Sequence, residues 1–216
     1  PGYTWLLVGM ADKGEKPDAG HAAMAKALGA FQAPDGSWSF GLPRAPMQSS
    51  LFTFTALSVK SLNAYAPDKG KVAKAAQWLA HTPAKSVDDK AFQVLGLKWA
   101  GASAATIKKA TASLLADQRN DGGWSSAPGA PSDAYGTGLA LYALRSAGTS
   151  VGTAAYQKGA KFLLRTQDAD GTWYVVKRAI PANNYLDASF PHGESQYSSF
   201  NATCYATMAL APVAKK

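Results

Sequence analysis

FQAPDGSW (31–38) is the stretch that decides the reading, because the chain says nearly the same thing twice more: DQRNDGGW (117–124) and TQDADGTW (166–173). Each time a Gln is followed by Asp three places on, Gly four places on and Trp six places on. The three sets are Gln32, Asp35, Gly36 and Trp38; Gln118, Asp121, Gly122 and Trp124; and Gln167, Asp170, Gly171 and Trp173. The first two glutamines are 86 residues apart, two units of 43, and the last two are 49 apart. A period of this length signals stacked supersecondary units. A degenerate unit is therefore expected midway, and AAQWLAHTPAK (75–85) fits it, with a helix end but no Gly-x-Trp.

Helical periodicity fills the segments between these phrases, with almost no β-branched alternation, so the chain reads as all-α. Four helices are predicted to run into the turn or its degenerate form: 18–32, 70–81, 104–118 and 153–167. Five more apolar ones alternate with them: 3–11, 49–64, 89–100, 133–147 and 198–211. The apolar class has its own phrase, Thr followed seven places on by Leu: Thr55 and Leu62, Thr137 and Leu144, Thr203 and Leu210. Helices that are small or apolar around most of their circumference are buried on several sides. They form an inner layer, and the lysine-bearing helices an outer one. Asp-Gly gives each outer helix an abrupt stop, since Gly takes the left-handed conformation readily. The Trp that follows has a large apolar body and one N–H with which to clamp a neighbouring unit.

At 216 residues and 47% apolar composition the chain can bury a substantial core. No apolar run approaches the roughly 20 residues needed to span a bilayer, and the start lacks a leader pattern. Beginning at Pro1, it reads as a trimmed piece. One cysteine, Cys204, excludes an internal disulfide framework and leaves the compartment open. The net charge of +8 comes mainly from dispersed lysines. These favour solubility and are compatible with an anionic membrane surface; without an Arg-rich, aromatic-interleaved cluster, nucleic acid is not an expected partner.

Extended backwards, the third phrase reads Lys158-Gly159, Phe162-Leu163, Gln167, Gly171, Trp173, which is similar to the QW motif of squalene-hopene and oxidosqualene cyclases at every defined position. Together with the paired helices, the whole chain resembles the prenyltransferase and squalene-cyclase repeat superfamily. The resemblance implies an α/α toroid, inner helices around an apolar cavity and outer helices around them, with the QW residues tying neighbours together. Five inner and four outer helices make a partial or small ring, read as one domain over 1–216 and as the C-terminal part of a longer chain. The stretch SFPHGESQYSSFNATCYATMALAP (189–212) is similar to the terminal cyclase segment. The long connection before it, with Tyr185, Phe190, Pro191 and His192, reads as a packed lid.

Cationic cyclisation needs a strong acid and a dry cavity whose aromatic faces stabilise positive charge. In bacterial members of the family the acid comes from an Asp-x-Asp-Asp-Thr-Ala stretch opening an inner helix. The counterpart here is Ser86-Val87-Asp88-Asp89-Lys90-Ala91, which puts Asp88 in the donor's place. Ser86 and Lys90 depart from the pattern, and an adjacent ammonium favours ionised carboxylate. The competing expectation is that Asp88 and Asp89 cap the helix. Asp133, opening the next inner helix, is a second candidate with the same alternative. Cavity-lining candidates are Phe52, Phe54, Trp99, Tyr135, Tyr142, Phe190, His192, Phe200 and Tyr205, and His192 with Glu194 is a possible acid–base couple. No redox cofactor is implied. Protein prenyltransferases of the superfamily bind zinc through an Asp-x-Cys pair and a His; here no Asp-x-Cys exists and Asn201 and Ala202 stand where the His belongs, so no metal is expected. The expected ligand is an isoprenoid or triterpene, with a partner protein domain as the other possibility for a cavity that binds without turnover.

Overall fold

A computed structural model describes residues 2–39, 45–46, 50–178 and 187–214. The described chain is helical: α1 (Gly2–Asp12), α2 (Ala19–Ala30), α3 (Leu51–Tyr65), α4 (Lys69–His81), α5 (Val87–Trp99), α6 (Ala104–Leu115), α7 (Ala134–Ser146), α8 (Ala154–Arg165) and α9 (Gln196–Leu210), with a short 3-10 turn, Gly193–Ser195, leading into α9. Each helix lies within a few residues of a stretch that the periodicity marks. The starts are set by local chemistry. Asp18, Ser50, Asp68, Ser86, Ser103, Asp133 and Thr153 each accept the backbone N–H three residues on, so α2 to α8 all begin with an N-cap that satisfies an otherwise orphaned donor.

The odd-numbered helices pack in chain order, α1 on α3, α3 on α5, α5 on α7 and α7 on α9. The even-numbered helices lie outside them, α2 on α1 and α3, α4 on α3 and α5, α6 on α5, and α8 on α7 and α9. This is the two-layered helical arrangement of an α/α toroid. Close approach in the inner layer depends on small residues: a Cβ at Gly138 of α7 would sit 2.7 Å from the backbone of Tyr205 and Ala206 on α9. One large apolar core joins α3, α5, α7 and α9 to the outer helices, and a second, around Leu7, Leu28, Trp38, Phe54 and Leu62, fills the N-terminal end.

The three Gln-to-Trp phrases adopt the same turn. Gly36, Gly122 and Gly171 have φ of +98°, +88° and +86°, a region a side chain rarely tolerates. The Asp one place earlier accepts the N–H two residues on, at 2.9 Å in all three. Trp38, Trp124 and Trp173 are buried, and each Nε1 donates to a carbonyl in the last turn of the preceding outer helix, Leu28, Leu114 and Leu163, at 2.9, 2.9 and 2.8 Å. The Trp backbone N–H donates in turn to the hydroxyl of Thr55, Thr137 or Thr203, so the conspicuous threonine of each inner helix is the receptor for the turn. Gln32 and Gln118 each donate to the glycine carbonyl of their own turn and to a carbonyl in the first turn of the next outer helix, Lys71 of α4 and Ala155 of α8, at 2.9 and 2.8 Å. Among the described residues Gln167 bonds only within its own turn, to the Gly171 carbonyl.

The end of α4 is closed differently. At the end of α4 no tryptophan follows, and the Leu79 carbonyl is met instead by Gln93 Nε2 of α5 at 2.6 Å, which also donates to the Thr82 carbonyl.

Candidate active site

Three consecutive residues at the start of α5 point three ways. Ser86 caps the helix, and Asp89 turns its carboxylate back to accept the N–H groups of Ser86 and Lys85, completing a capping box. Lys90 turns outward, 2.7 Å from Asp117 of the α6–α7 connection. Asp88 turns inward and is 5% exposed. The cap expected of Asp88 therefore falls to Ser86 and Asp89, because the helix begins at Val87 rather than 89. Lys90, read as Asp88's neighbour, is spent on another carboxylate.

Asp88 is held where three inner helices meet. One carboxyl oxygen accepts from Thr53 Oγ1 of α3 at 3.0 Å, the other from Tyr135 Oη of α7 at 2.8 Å. The Tyr135 ring meets Tyr205 of α9 edge-on at 5.5 Å, and Tyr205 meets Tyr142 at 6.0 Å. Burial pushes Asp88 from the usual carboxylate range up to about 7; the hydroxyls of Tyr135 and Thr53 pull the other way, Asp89 adds to the rise, and the guanidinium of Arg178 subtracts from it. Burial likewise carries the phenols of Tyr135 and Tyr205 well above their ordinary value. A carboxyl in this setting keeps its proton near neutrality and has two polarisable hydroxyls and a π face beside it.

The other candidates are distributed more widely. Asp133 caps α7, accepting from Gly136 N at 2.8 Å, and binds both the N–H and the hydroxyl of Ser126, which pins the Ser125–Ala130 loop to the helix. Phe52 leans outward on Trp78 of α4 at 4.8 Å, and Phe54 belongs to the N-terminal core. Trp99 lies under the Lys60 ammonium at 4.7 Å. Phe190 packs edge-on against Phe200 at 5.3 Å, with Phe200 half exposed. His192 is held against the third turn, 2.8 Å from Thr172 Oγ1 and edge-on to Tyr174. The expected His192–Glu194 couple does not form, since Glu194 pairs with Lys177 instead. Of the nine aromatic and histidine candidates, the structure thus gathers Tyr135 and Tyr205 near Asp88, with Tyr142 one ring further on against Tyr205, and leaves the rest elsewhere.

The connection after Trp173 is tied down where it is described: Val175 N donates to Ser199 Oγ and Lys177 N to Ser195 Oγ, both 3.1 Å. Tyr185 lies outside the described residues. Two open concavities indent the described surface. One of about 460 Å³ is bounded by α2, α3 and α4, and one of about 270 Å³ is lined by Lys85, Val87, Asp117, Arg119 and the Ser125–Pro128 loop. The smaller lies beside the helix start that carries Asp88; neither is lined by the inner aromatic residues.

Thr53 and Arg178 were invisible as site residues in the sequence. Thr53 stands in a run of small inner-helix residues two places before the repeated Thr55, and nothing about Arg178 announces that its charge reaches Asp88. Among the described residues no cluster of His, Cys, Asp and Glu is arranged to hold a metal, and no helix is long and apolar enough to cross a membrane.

Residues 46–216 match the family model of the squalene-hopene cyclase C-terminal domain. No curated protein matches the sequence. That match covers most of the chain, including α3 to α9 and every residue around Asp88, and on that ground the chain belongs to the squalene-hopene cyclase C-terminal domain family.

Proposed function

We propose that this is a terpenoid-cyclase-type domain that takes an isoprenoid or triterpene lipid on the inner-helix side, with Asp88 as the proton donor. The observation that carries the proposal is the Asp88 carboxyl itself: buried, directed inward, turned away from Lys90, and held by Thr53 and Tyr135 with its protonated form favoured to about neutral pH. A general acid must be protonated at the working pH and within reach of the group it protonates. Donation from Asp88 to an epoxide oxygen or an alkene carbon would leave a carboxylate stabilised by the two hydroxyls that already touch it. The developing carbocation would meet the faces of Tyr135 and Tyr205.

A second reading, binding without turnover, rests on a different observation. Both carboxyl oxygens already have hydroxyl partners, and the inner tyrosines pack on one another. Incubation with squalene, its epoxide and shorter polyprenyl compounds, followed by mass analysis, separates the two. Cyclised product from the wild type and none from Asp88→Asn supports the acid. Retention of labelled lipid by both proteins with no product supports binding alone. Identical product profiles from the two proteins would remove Asp88 from the chemistry.

A further inference from the structure

Arg178 carries a charge that its surroundings do not balance. Its Nη1 donates to the Ser126 carbonyl at 2.5 Å, and Ser126 is itself fastened to Asp133 at the start of α7, so the guanidinium is anchored at one end. Its Nε and Nη2 are buried with no acceptor among the described residues. These two nitrogens share one edge of the planar group, the edge that meets the two oxygens of a carboxylate or phosphate in parallel. No other side chain among the described residues combines a fixed charge with two unmet buried donors.

The position of that edge matters. Its anchor, Ser126, packs on Gly136 of α7, one residue from Tyr135, and the Arg178 charge acts on both Asp88 and Tyr135, yet it forms no ion pair with Asp88. Asp88 has its oxygens on Thr53 and Tyr135, and Asp133 is committed to Ser126 and Gly136. Lys177, next in the chain, is paired with Glu194. A neutral acceptor would satisfy a donor and leave the charge, whereas an anion meets both buried donors and the charge together.

We propose that Arg178 is a ligand-binding residue whose Nε–Nη2 edge grips two oxygens of an anionic head group, so that the lipid taken at Asp88 is a prenyl phosphate or prenyl carboxylate rather than a hydrocarbon. This rests on the isoprenoid reading above and narrows its substrate class.

Calorimetric titration with farnesyl diphosphate, farnesoate, farnesol and inorganic diphosphate tests it on the wild type, Arg178→Gln and Arg178→Lys, with circular dichroism confirming that each folds. The wild type is expected to bind at least one of the anionic prenyl compounds about tenfold or more tighter than farnesol, the scale of a charge-assisted two-oxygen contact. Arg178→Gln should erase that preference, and Arg178→Lys should restore only part of it. The tighter of diphosphate and carboxylate identifies the head group. Farnesol binding as well as the anions in the wild type, or a preference that survives Arg178→Gln, overturns the proposal and leaves the isoprenoid reading standing. Binding of inorganic diphosphate that depends on Arg178, with no prenyl compound bound, keeps the anion grip and removes the isoprenoid. Binding of none of the four removes both.

Discussion

Replacing Gly122 and Gly171 separately by alanine isolates what the repeated turn does. The two glycines have nearly the same φ, +88° and +86°, so the backbone penalty of a left-handed alanine, roughly 1–2 kcal/mol, is common to both. Their surroundings differ. A Cβ at 122 would lie 2.6 Å from the Lys158 carbonyl oxygen of α8, well inside van der Waals contact, whereas at 171 the nearest atom is Gln167 Nε2 at 3.9 Å. Gly122→Ala must therefore push α8 away. That adds about 1–3 kcal/mol of overpacking. It also endangers the 2.8 Å bond from Gln118 to the Ala155 carbonyl, worth about 0.5–1.5 kcal/mol. Gly171→Ala should cost about 1–2 kcal/mol and Gly122→Ala about 3–5 kcal/mol, with Gly36→Ala following Gly122 because its Cβ would meet the Lys74 carbonyl at the same 2.6 Å. Urea unfolding, with midpoint and slope compared at fixed pH, measures the difference. Equal losses at 122 and 171 would mean that the turn is not seated on the next outer helix, and the account of the inter-unit joint would be wrong.

The remaining predictions concern Asp88 and the two ways of closing an outer helix. Asp88 keeps its proton in the folded protein up to about 7, while the unfolded chain releases it near 3.9, so stability should fall as pH rises between these values, by at most about 4 kcal/mol. Urea unfolding at pH 5 and pH 8 should show about 3 kcal/mol of this loss in the wild type and a flatter response in Asp88→Asn; parallel responses would contradict the buried acid. Thr137→Val leaves the buried Trp124 N–H without its acceptor and should cost about 1–3 kcal/mol in the same assay. Gln93→Leu orphans the Leu79 carbonyl and should cost a similar amount, about 1–3 kcal/mol, although no Trp is touched; no loss there would show that α4 closes by some other means.

The fold could be read from the sequence because the recurring signals are local. Gln, Asp, Gly and Trp at fixed spacing specify a helix stop and an anchor, and the Thr-to-Leu phrase marks the helix that receives it, so the inner and outer layers follow from one register. The pairing of that Thr with the Trp N–H is not local, and it became visible only in three dimensions, as did the substitution of Gln93 for a tryptophan. Asp88 shows where such reading stops. A two-residue error in the start of α5, 89 for 87, exchanges a cap for an inward side chain, since each residue turns the helix by about 100°. Thr53, Tyr135 and Arg178, which define its surroundings, come from three separate parts of the chain. No spacing rule brings them together, and the long connection before α9 supplies no periodicity from which Arg178 could be placed.

The joint between units has a consequence for how such a chain can change over evolutionary time. Gln32 and Gln118 address main-chain carbonyls of the next outer helix, and the glycines of the same turns press on main-chain atoms at Lys74 and Lys158. Trp Nε1 reaches a main-chain carbonyl, and the receiving threonine takes a main-chain N–H. Every helix offers those atoms whatever its residues are. The grip therefore makes no demand on the identity of the side chains at 71, 74, 155 or 158, and the outward surface is free to exchange lysine, alanine or anything else that forms a helix. A handful of positions in each turn hold the scaffold constant, while the exterior drifts and the interior is left open to selection for chemistry.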